Sequence, residues 1–238
     1  IILILALAVS MFQVAAFADE TTLPEDQTAG EITLTDEGDY TYADYLNDNK
    51  DVADATTDIF VAGDSYSSVE GAAVENVAEF TDEIGVTEKN LIKWTGEKGT
   101  VNYTVTVEKA GMYELGLAYC PIKGRGLPLR FAFKVDGEVP YASMNAVYFS
   151  RTFVDDKPEG ISDGNGNVYA SEQVEKLIFK ELKAMDNSGQ YVEPLKISLT
   201  AGTHTISVTA LSGEFYLKGV TLTAPEVVKP YEEVKKEY

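Results

Sequence analysis

The sequence predicts an all-β chain, an antiparallel sandwich or barrel carrying one long, partly helical insertion. Three observations predict it. Short runs rich in Val, Thr, Tyr and Phe alternate apolar and polar residues with the period of a half-buried strand. Gly, Pro and Asp-Gly turns separate these runs. The regular spacing is interrupted once, over residues 138–193.

Taken in order, residues 1–18, IILILALAVSMFQVAAFA, are almost purely apolar and end in Ala-Phe-Ala before Asp19. This pattern is that of a secretory signal with a clipped start; the alternative is a transmembrane anchor, which eighteen residues would barely provide, and the small-x-small ending favours cleavage and a secreted or cell-surface protein. Residues 19–57 read as an acidic linker. Within it, Tyr40–Asp51 can form a short helix that gathers Tyr40, Tyr42, Tyr45 and Leu46 on one face. The β-rich module spans 58–223. DIFVAGDSY, from residue 58, is a strand entering a turn, and LIKW at 91–94 ends at the sole tryptophan.

In VNYTVTV, Val101, Tyr103, Val105 and Val107 share one face, and Asn102, Thr104 and Thr106 share the other. Lys109-Ala110-Gly111 then reads as the turn of an antiparallel hairpin whose second strand places Tyr113, Leu115, Leu117 and Tyr119 together. LRFAFKVDG at 129–137 is closed by an Asp-Gly turn. The insertion has no clear strands, and SEQVEKLIFKELKA at 171–184 reads as a helix. PLKISLT and THTISVTAL repeat the hairpin pattern through Ala201-Gly202, and GEFYLKGVTLT supplies the last strand. Residues 224–238 leave through Pro225 as a linker or the start of a further region.

Composition narrows function. The chain has 39 acidic against 19 basic residues, a formal charge of −20. Such a surface repels phosphate backbones, so nucleic acid is not an expected partner. Cys120 is the only cysteine, which excludes an internal disulfide and leaves a buried, unreactive thiol as its expected state. His204 is the only histidine, which excludes a multi-histidine zinc site. It lies in an alternating strand, where packing or a local hydrogen bond accounts for it. There is no nucleophile elbow, no phosphate-binding glycine loop and no distinguished carboxylate pair. The chain is therefore not read as an enzyme.

WTGEKGTVNYTVTVEKAGMYELGLAY (94–119) resembles the central hairpin of galactose-binding-like and carbohydrate-binding jelly-roll modules. A further resemblance is to the non-catalytic β-sandwich region of certain extracellular solute-binding proteins of bacterial ABC transporters. It rests on YCPIKGRG (119–126), VDGEVPY (135–141), YFSRTF (148–153), DGNGN (163–167), SEQVEK (171–176) and DNSGQYVEPLKISLTAGTHTI (186–206). The resemblance implies a jelly-roll, galactose-binding-like fold. It also implies a module that binds a glycan or small sugar, or assists solute capture beside other domains of a larger surface protein. The alternatives are a structural interaction module and, less favoured, a glycan-processing enzyme with two opposed carboxylates in a deep cleft.

The candidate ligand residues follow from that chemistry. Sugar faces stack on aromatic rings, which brings in Trp94 and the loop tyrosines Tyr141, Tyr148, Tyr169 and Tyr191. Lys123, Arg125, Arg130 and Arg151 supply cations for hydroxyls or a carboxylate. Arg151 has a structural alternative, pairing with Glu193 or Asp186, and Glu193 is itself a ligand candidate. Asp163, Asn165 and Asn167 alternate like the first ligands of a calcium loop, although Val168 stands at the required glycine position. The resemblance also implies calcium near the first main strand, where Asp64 and Glu70 are the available carboxylates and Gly63 replaces an expected acid.

Overall fold

The computed structural model describes residues 40–96 and 98–226, together with Tyr231, Lys235 and Lys236. The apolar segment 1–18, the linker up to residue 39 and most of the tail lie outside the described residues.

The expected short helix is present as α1, Tyr42–Asp48. Its start is a capping box: Thr41 Oγ1 accepts the Asp44 N–H, while the Thr41 N–H donates to the Asp44 carboxylate. Both bonds satisfy donors that a helix N-terminus otherwise leaves open. Strands follow as β1 (Ile59–Ala62), β2 (Ser68–Glu70), β3 (Ala73–Thr81), β4 (Thr87–Thr95), β5 (Thr100–Val107), β6 (Gly111–Pro121) and β7 (Leu129–Val135). The insertion contributes β8 (Val147–Phe149), β9 (Thr152–Asp155), β10 (Ile161–Ser162), β11 (Val168–Tyr169), β12 (Gln173–Lys176) and β13 (Lys180–Lys183). The chain then returns through β14 (Lys196–Leu199), β15 (Gly202–Ser212) and β16 (Phe215–Thr223).

Two antiparallel sheets form the sandwich. One has the order β2-β5-β15-β7-β8. The other is centred on β6 and β16. β13 and β14 lie end to end along one side of β6. β4 and β1 lie end to end along β16, with β3 outside β4. β9 with β12, and β10 with β11, make two small ribbons. The seam between β4 and β1 explains Gly63. A Cβ there would sit 2.1 Å from the Leu217 carbonyl oxygen, so no acidic side chain fits.

Neither expected hairpin is a hairpin. β5 pairs with β15 and β2, whereas β6 lies in the opposite sheet. The burial pattern gives the reason. β5 has one buried and one more open face, but β6 is buried along its whole length. A strand with two buried faces belongs at the centre of a covered sheet, so the chain crosses the core at Lys109–Gly111. β14, β15 and β16 likewise change sheet at each turn. Successive strands that alternate between two sheets give the all-β antiparallel sandwich of jelly-roll type that the sequence led one to expect. The Asp136-Gly137 turn is local: both residues have positive φ, and Val135 and Glu138 exchange backbone hydrogen bonds.

The core is aromatic. Trp94, Tyr103, Tyr113, Tyr119, Phe131, Phe133, Phe149 and Phe215 are fully buried between the sheets. Phe131 alone meets Phe149 at 5.4 Å and Phe215 at 5.0 Å, both edge to face, the favoured geometry for aromatic pairs. Cys120 is buried as expected, and burial, with Asp82 and Glu83 nearby, pushes its thiol up to about 12. A thiol so perturbed stays protonated and unreactive at neutral pH.

The helix expected over 171–184 is also overturned. This stretch forms β12 and β13, and Lys180–Lys183 pairs with Gly116–Tyr119 of β6. A helix there would leave the backbone groups on that side of β6 unpaired, at a cost that outweighs local helix propensity. The strand is anchored by the buried carboxylate of Asp82. Its Oδ1 accepts the N–H groups of Ile84 and Val86, and its Oδ2 accepts that of Phe179.

Candidate functional site

The exposed edge of β14 is closed by three tyrosines rather than by another strand. The Lys196 N–H donates to the Tyr42 hydroxyl at 3.0 Å, and the Ser198 N–H donates to the Tyr45 hydroxyl at 2.6 Å. The Tyr141 hydroxyl donates to the Lys196 carbonyl at 2.9 Å. The rings pack on one another, Tyr42 against Tyr141 at 4.7 Å and Tyr45 against Tyr141 at 4.8 Å. This arrangement fixes α1 beside the last residues of the insertion.

Between α1 and that segment lies a cleft of about 270 Å³. Tyr42 and Leu46 form the wall from α1, and Gln190, Tyr191, Val192, Glu193 and Lys196 form the opposite side. The Tyr191 ring meets Tyr42 edge-on at 4.9 Å. The loop behind it is shaped by Asp186, which accepts the N–H groups of Ser188, Gln190 and Tyr191. Partial burial pushes the Asp186 pKa up, but the Ser188 hydroxyl and these N–H groups together hold it below its usual value. The carboxylate therefore stays ionised and the loop stays wound around it. Lys196 Nζ turns to Asp54, at 3.0 Å. The cleft thus offers a part-buried aromatic ring, an amide, a carboxylate with no ion-pair partner among the described residues and apolar contacts, a combination suited to a ligand with hydroxyls on one side and C–H on the other.

Of the residues singled out from sequence, Tyr191 and Glu193 meet in this cleft. The others are distributed elsewhere. Trp94 is fully buried and packs on Phe215 at 5.3 Å, so its ring presents no face to a ligand. Tyr141 is buried in the tyrosine cluster.

Arg151 is buried and locked. It donates to the carbonyls of Leu127 and Ile122 at 2.5 and 2.6 Å and pairs with Glu175. Its partner is therefore Glu175, not Glu193 or Asp186. The second Glu175 oxygen accepts the Gly124 N–H at 3.1 Å, which ties down the basic bend. In that bend Lys123 pairs with Glu83 at 2.5 Å, and Arg125 faces solvent. Arg130 lies over the exposed Tyr148 ring, 5.5 Å from its centre.

Tyr169 is exposed and borders a second, more polar hollow of about 340 Å³ beside the β10–β11 ribbon. Its hydroxyl donates to Asp163. Asp163 also accepts the N–H groups of Asn165 and Asn167 and the Asn167 side-chain amide, each at 2.8 Å. Donation from Asn167, by side chain and then backbone, with smaller help from Asn165 and Tyr169, brings Asp163 down to about 2. The alternating Asp-Asn-Asn pattern is thus a turn closed on its own carboxylate. Asp64 sits in the turn after β1, and Glu70 at the end of β2 accepts from the Asn102 amide at 2.8 Å. Among the described residues no three His, Cys, Asp or Glu side chains gather as metal ligands.

Gln190, Lys196, Tyr42 and Leu46 were not singled out as ligand residues. Tyr42 and Leu46 were legible only as one face of a helix. Their place in the cleft depends on where the helix docks, more than 140 residues from Lys196 in the chain.

His204 has the local bonding expected of it. Nδ1 donates to Asp136 at 2.7 Å, and Nε2 donates to the Thr200 carbonyl at 2.9 Å. Both acceptors favour the doubly protonated ring. Partial burial lowers the His204 pKa, but these bonds together outweigh it and raise the net value above 6.5. A raised folded-state pKa stabilises the protein fully below the unfolded value, and that contribution disappears as pH rises through the folded one. Wild type is therefore expected to lose stability between pH 6 and 8 relative to His204→Gln, by up to about 1 kcal/mol for a pair this exposed. Parallel urea curves for the two proteins at several pH values would refute this.

No protein-family model and no curated protein matches the chain. Among solved structures it is similar to the Podospora anserina GH26-CBM35 β-(1,4)-mannanase, with 15% identity over 73% of this chain, a TM-score of 0.43 and coverage of 29% of that chain. It is also similar to a family 35 carbohydrate-binding module from Clostridium thermocellum, with 13% identity over 71% of this chain and 100% of that one, and a TM-score of 0.41. A third is the C-terminal CBM6 of LamC from Zobellia galactanivorans, with 10% identity, 70% and 99% coverage, and a TM-score of 0.36. This chain spans less than a third of the length of the mannanase.

Proposed function

We propose that this β-sandwich is a non-catalytic carbohydrate-binding module of an exported protein, and that the cleft between α1 and Gln190–Lys196 is its sugar site. The observation that carries this reading is the meeting of Tyr191 with Glu193 and Gln190 on one cleft wall. An aromatic ring beside hydrogen-bonding side chains suits a pyranose, which has a C–H face and a hydroxyl edge. Export rests on the apolar segment before Asp19. The resemblance to sandwich regions of solute-binding proteins supports a place beside a solute-capture domain at the cell surface.

The test is a glycan array with the folded protein, run with and without calcium. Specific binding weakened roughly five- to tenfold by Tyr191→Ala is expected, since stacking on one ring is worth on the order of 1–1.5 kcal/mol. Calcium dependence would bring Asp64, Glu70 or the Asp163 turn back as metal ligands. A clean negative from a folded sample would favour the second reading, a structural module that docks or spaces domains. One observation favours that alternative: Trp94, Tyr141 and Arg151, three side chains well suited to hold a sugar, are all buried and committed to the fold.

A further inference from the structure

The cations of this protein are placed in a way that bears on which sugar the cleft can take. Of four basic side chains near candidate surfaces, three are paired with carboxylates and one lies over a ring. Arg151 is locked on Glu175, Lys123 on Glu83, and Arg130 lies over Tyr148. Lys196, the one cation lining the cleft, holds Asp54 at 3.0 Å. The Lys196 side chain is 18% exposed and that of Asp54 54% exposed. Glu193 lines the same cleft with no cation paired to it among the described residues. The cleft is therefore lined by one cation, engaged by Asp54 outside the lining, and by one carboxylate without a paired cation, on a chain with a formal charge of −20.

We propose that the cleft selects neutral sugars and rejects their uronate counterparts, and that Asp54 sets this selectivity by keeping the Lys196 ammonium group engaged. The proposal rests on the carbohydrate reading above and gives it a substrate class. A neutral pyranose needs only hydroxyl partners, which Gln190 and Glu193 supply, and an aromatic surface, which Tyr191 supplies. A uronate carboxylate would be brought near Glu193 without a free cation to meet it. A like-charge contact of that kind disfavours binding without any steric clash. Asp54 does not line the cleft, so it is a positioning residue for Lys196 and not a ligand contact.

The experiment compares matched gluco-, galacto- and manno-oligosaccharides with the same oligomers oxidised to the carboxylate at C6, using calorimetry on the full chain. Wild type is expected to bind a neutral series and to bind its oxidised partner at least roughly fivefold more weakly. Asp54→Asn keeps shape at an exposed position and releases Lys196. It is expected to narrow that ratio by roughly three- to fivefold, mainly by gaining affinity for the oxidised series, a readout that a merely structural role for Asp54 would not move. Glu193→Gln, which removes the repelling charge by another route, is expected to narrow the same ratio. If wild type prefers the oxidised series, or if Asp54→Asn leaves the ratio unchanged whatever Glu193→Gln does, the selectivity proposal is overturned while the carbohydrate reading stands. If neither series binds, the carbohydrate reading itself fails, and the selectivity proposal fails with it.

Discussion

Trp94→Ala is expected to lower the free energy of unfolding by about 3–5 kcal/mol, the usual cost of emptying a large aromatic site. The indole is fully buried on β4, opposite Phe215 of β16, and packs on that ring at 5.3 Å. Truncation removes the apolar area and leaves a cavity between two β-strands already committed to their register. Its indole N–H has no hydrogen-bond partner among the described residues. Trp94→Phe, which removes that unpartnered donor and keeps much of the ring, should therefore cost less, about 1–2 kcal/mol. Urea unfolding of both variants is the measurement. A cost below about 1 kcal/mol for the alanine variant would mean the ring does not belong to the core. Reduced glycan binding by Trp94→Ala would report a smaller folded fraction, whereas Tyr191→Ala, which gives up one edge-on contact with Tyr42 and so about 1 kcal/mol of stability, should weaken binding in samples that remain fully folded.

The second large effect concerns Arg151. Its side chain is 4% exposed and that of Glu175 is 10% exposed. Arg151→Met fills similar volume but leaves the Glu175 carboxylate buried without its cation and the carbonyls of Leu127 and Ile122 without their donor. Breaking a buried pair from one side typically costs about 3–5 kcal/mol. Removing both partners, as in Arg151→Met with Glu175→Gln, should cost less than the single change, because no charge is left stranded. Lys123→Ala, which breaks an ion pair at the surface of the same bend, should change stability by less than about 1 kcal/mol. Equal costs for Arg151→Met and Lys123→Ala would show that the buried lock does not hold the bend. The basic bend after β6 is pinned from inside by Arg151, 29 residues after Ile122 and 24 after Leu127, while Lys123 and Arg125 meet solvent.

Several elements were legible without the fold. Alternation over Val101–Val107 correctly placed the buried face of β5, since side-chain direction in a strand is set by the backbone alone. The tyrosine spacing in 40–46 was enough to expect α1, and the structure adds the Thr41–Asp44 cap that starts it. The Asp136-Gly137 turn needs two residues that tolerate positive φ and has them. The candidate site was legible only in part. Tyr191 and Glu193 were accessible because their chemistry suits a sugar, but chemistry alone also selected Trp94, Tyr141 and Arg151. Residue type does not distinguish a ring or guanidinium that meets a ligand from one that fills the interior.

Strand partners were decided at a longer range. The turns at Lys109–Gly111 and Ala201–Gly202 are short enough for hairpins, yet each carries the chain across the core. The choice depends on whether the second strand must be covered on one face or two, and that depends on what the insertion lays over β6. The stretch 171–184 has helical periodicity, and it becomes strand because β6 offers unpaired backbone groups that a helix cannot satisfy. By itself the sequence determined the all-β class, the inward face of β5, the short helix before the sandwich and the lone buried thiol, all of which rest on local periodicity and chemistry. Tertiary structure alone decided which strands pair, which carboxylate holds Arg151 and how α1 closes a cleft against Gln190–Lys196, because each requires groups distant in the chain to satisfy one another's hydrogen bonds and charges.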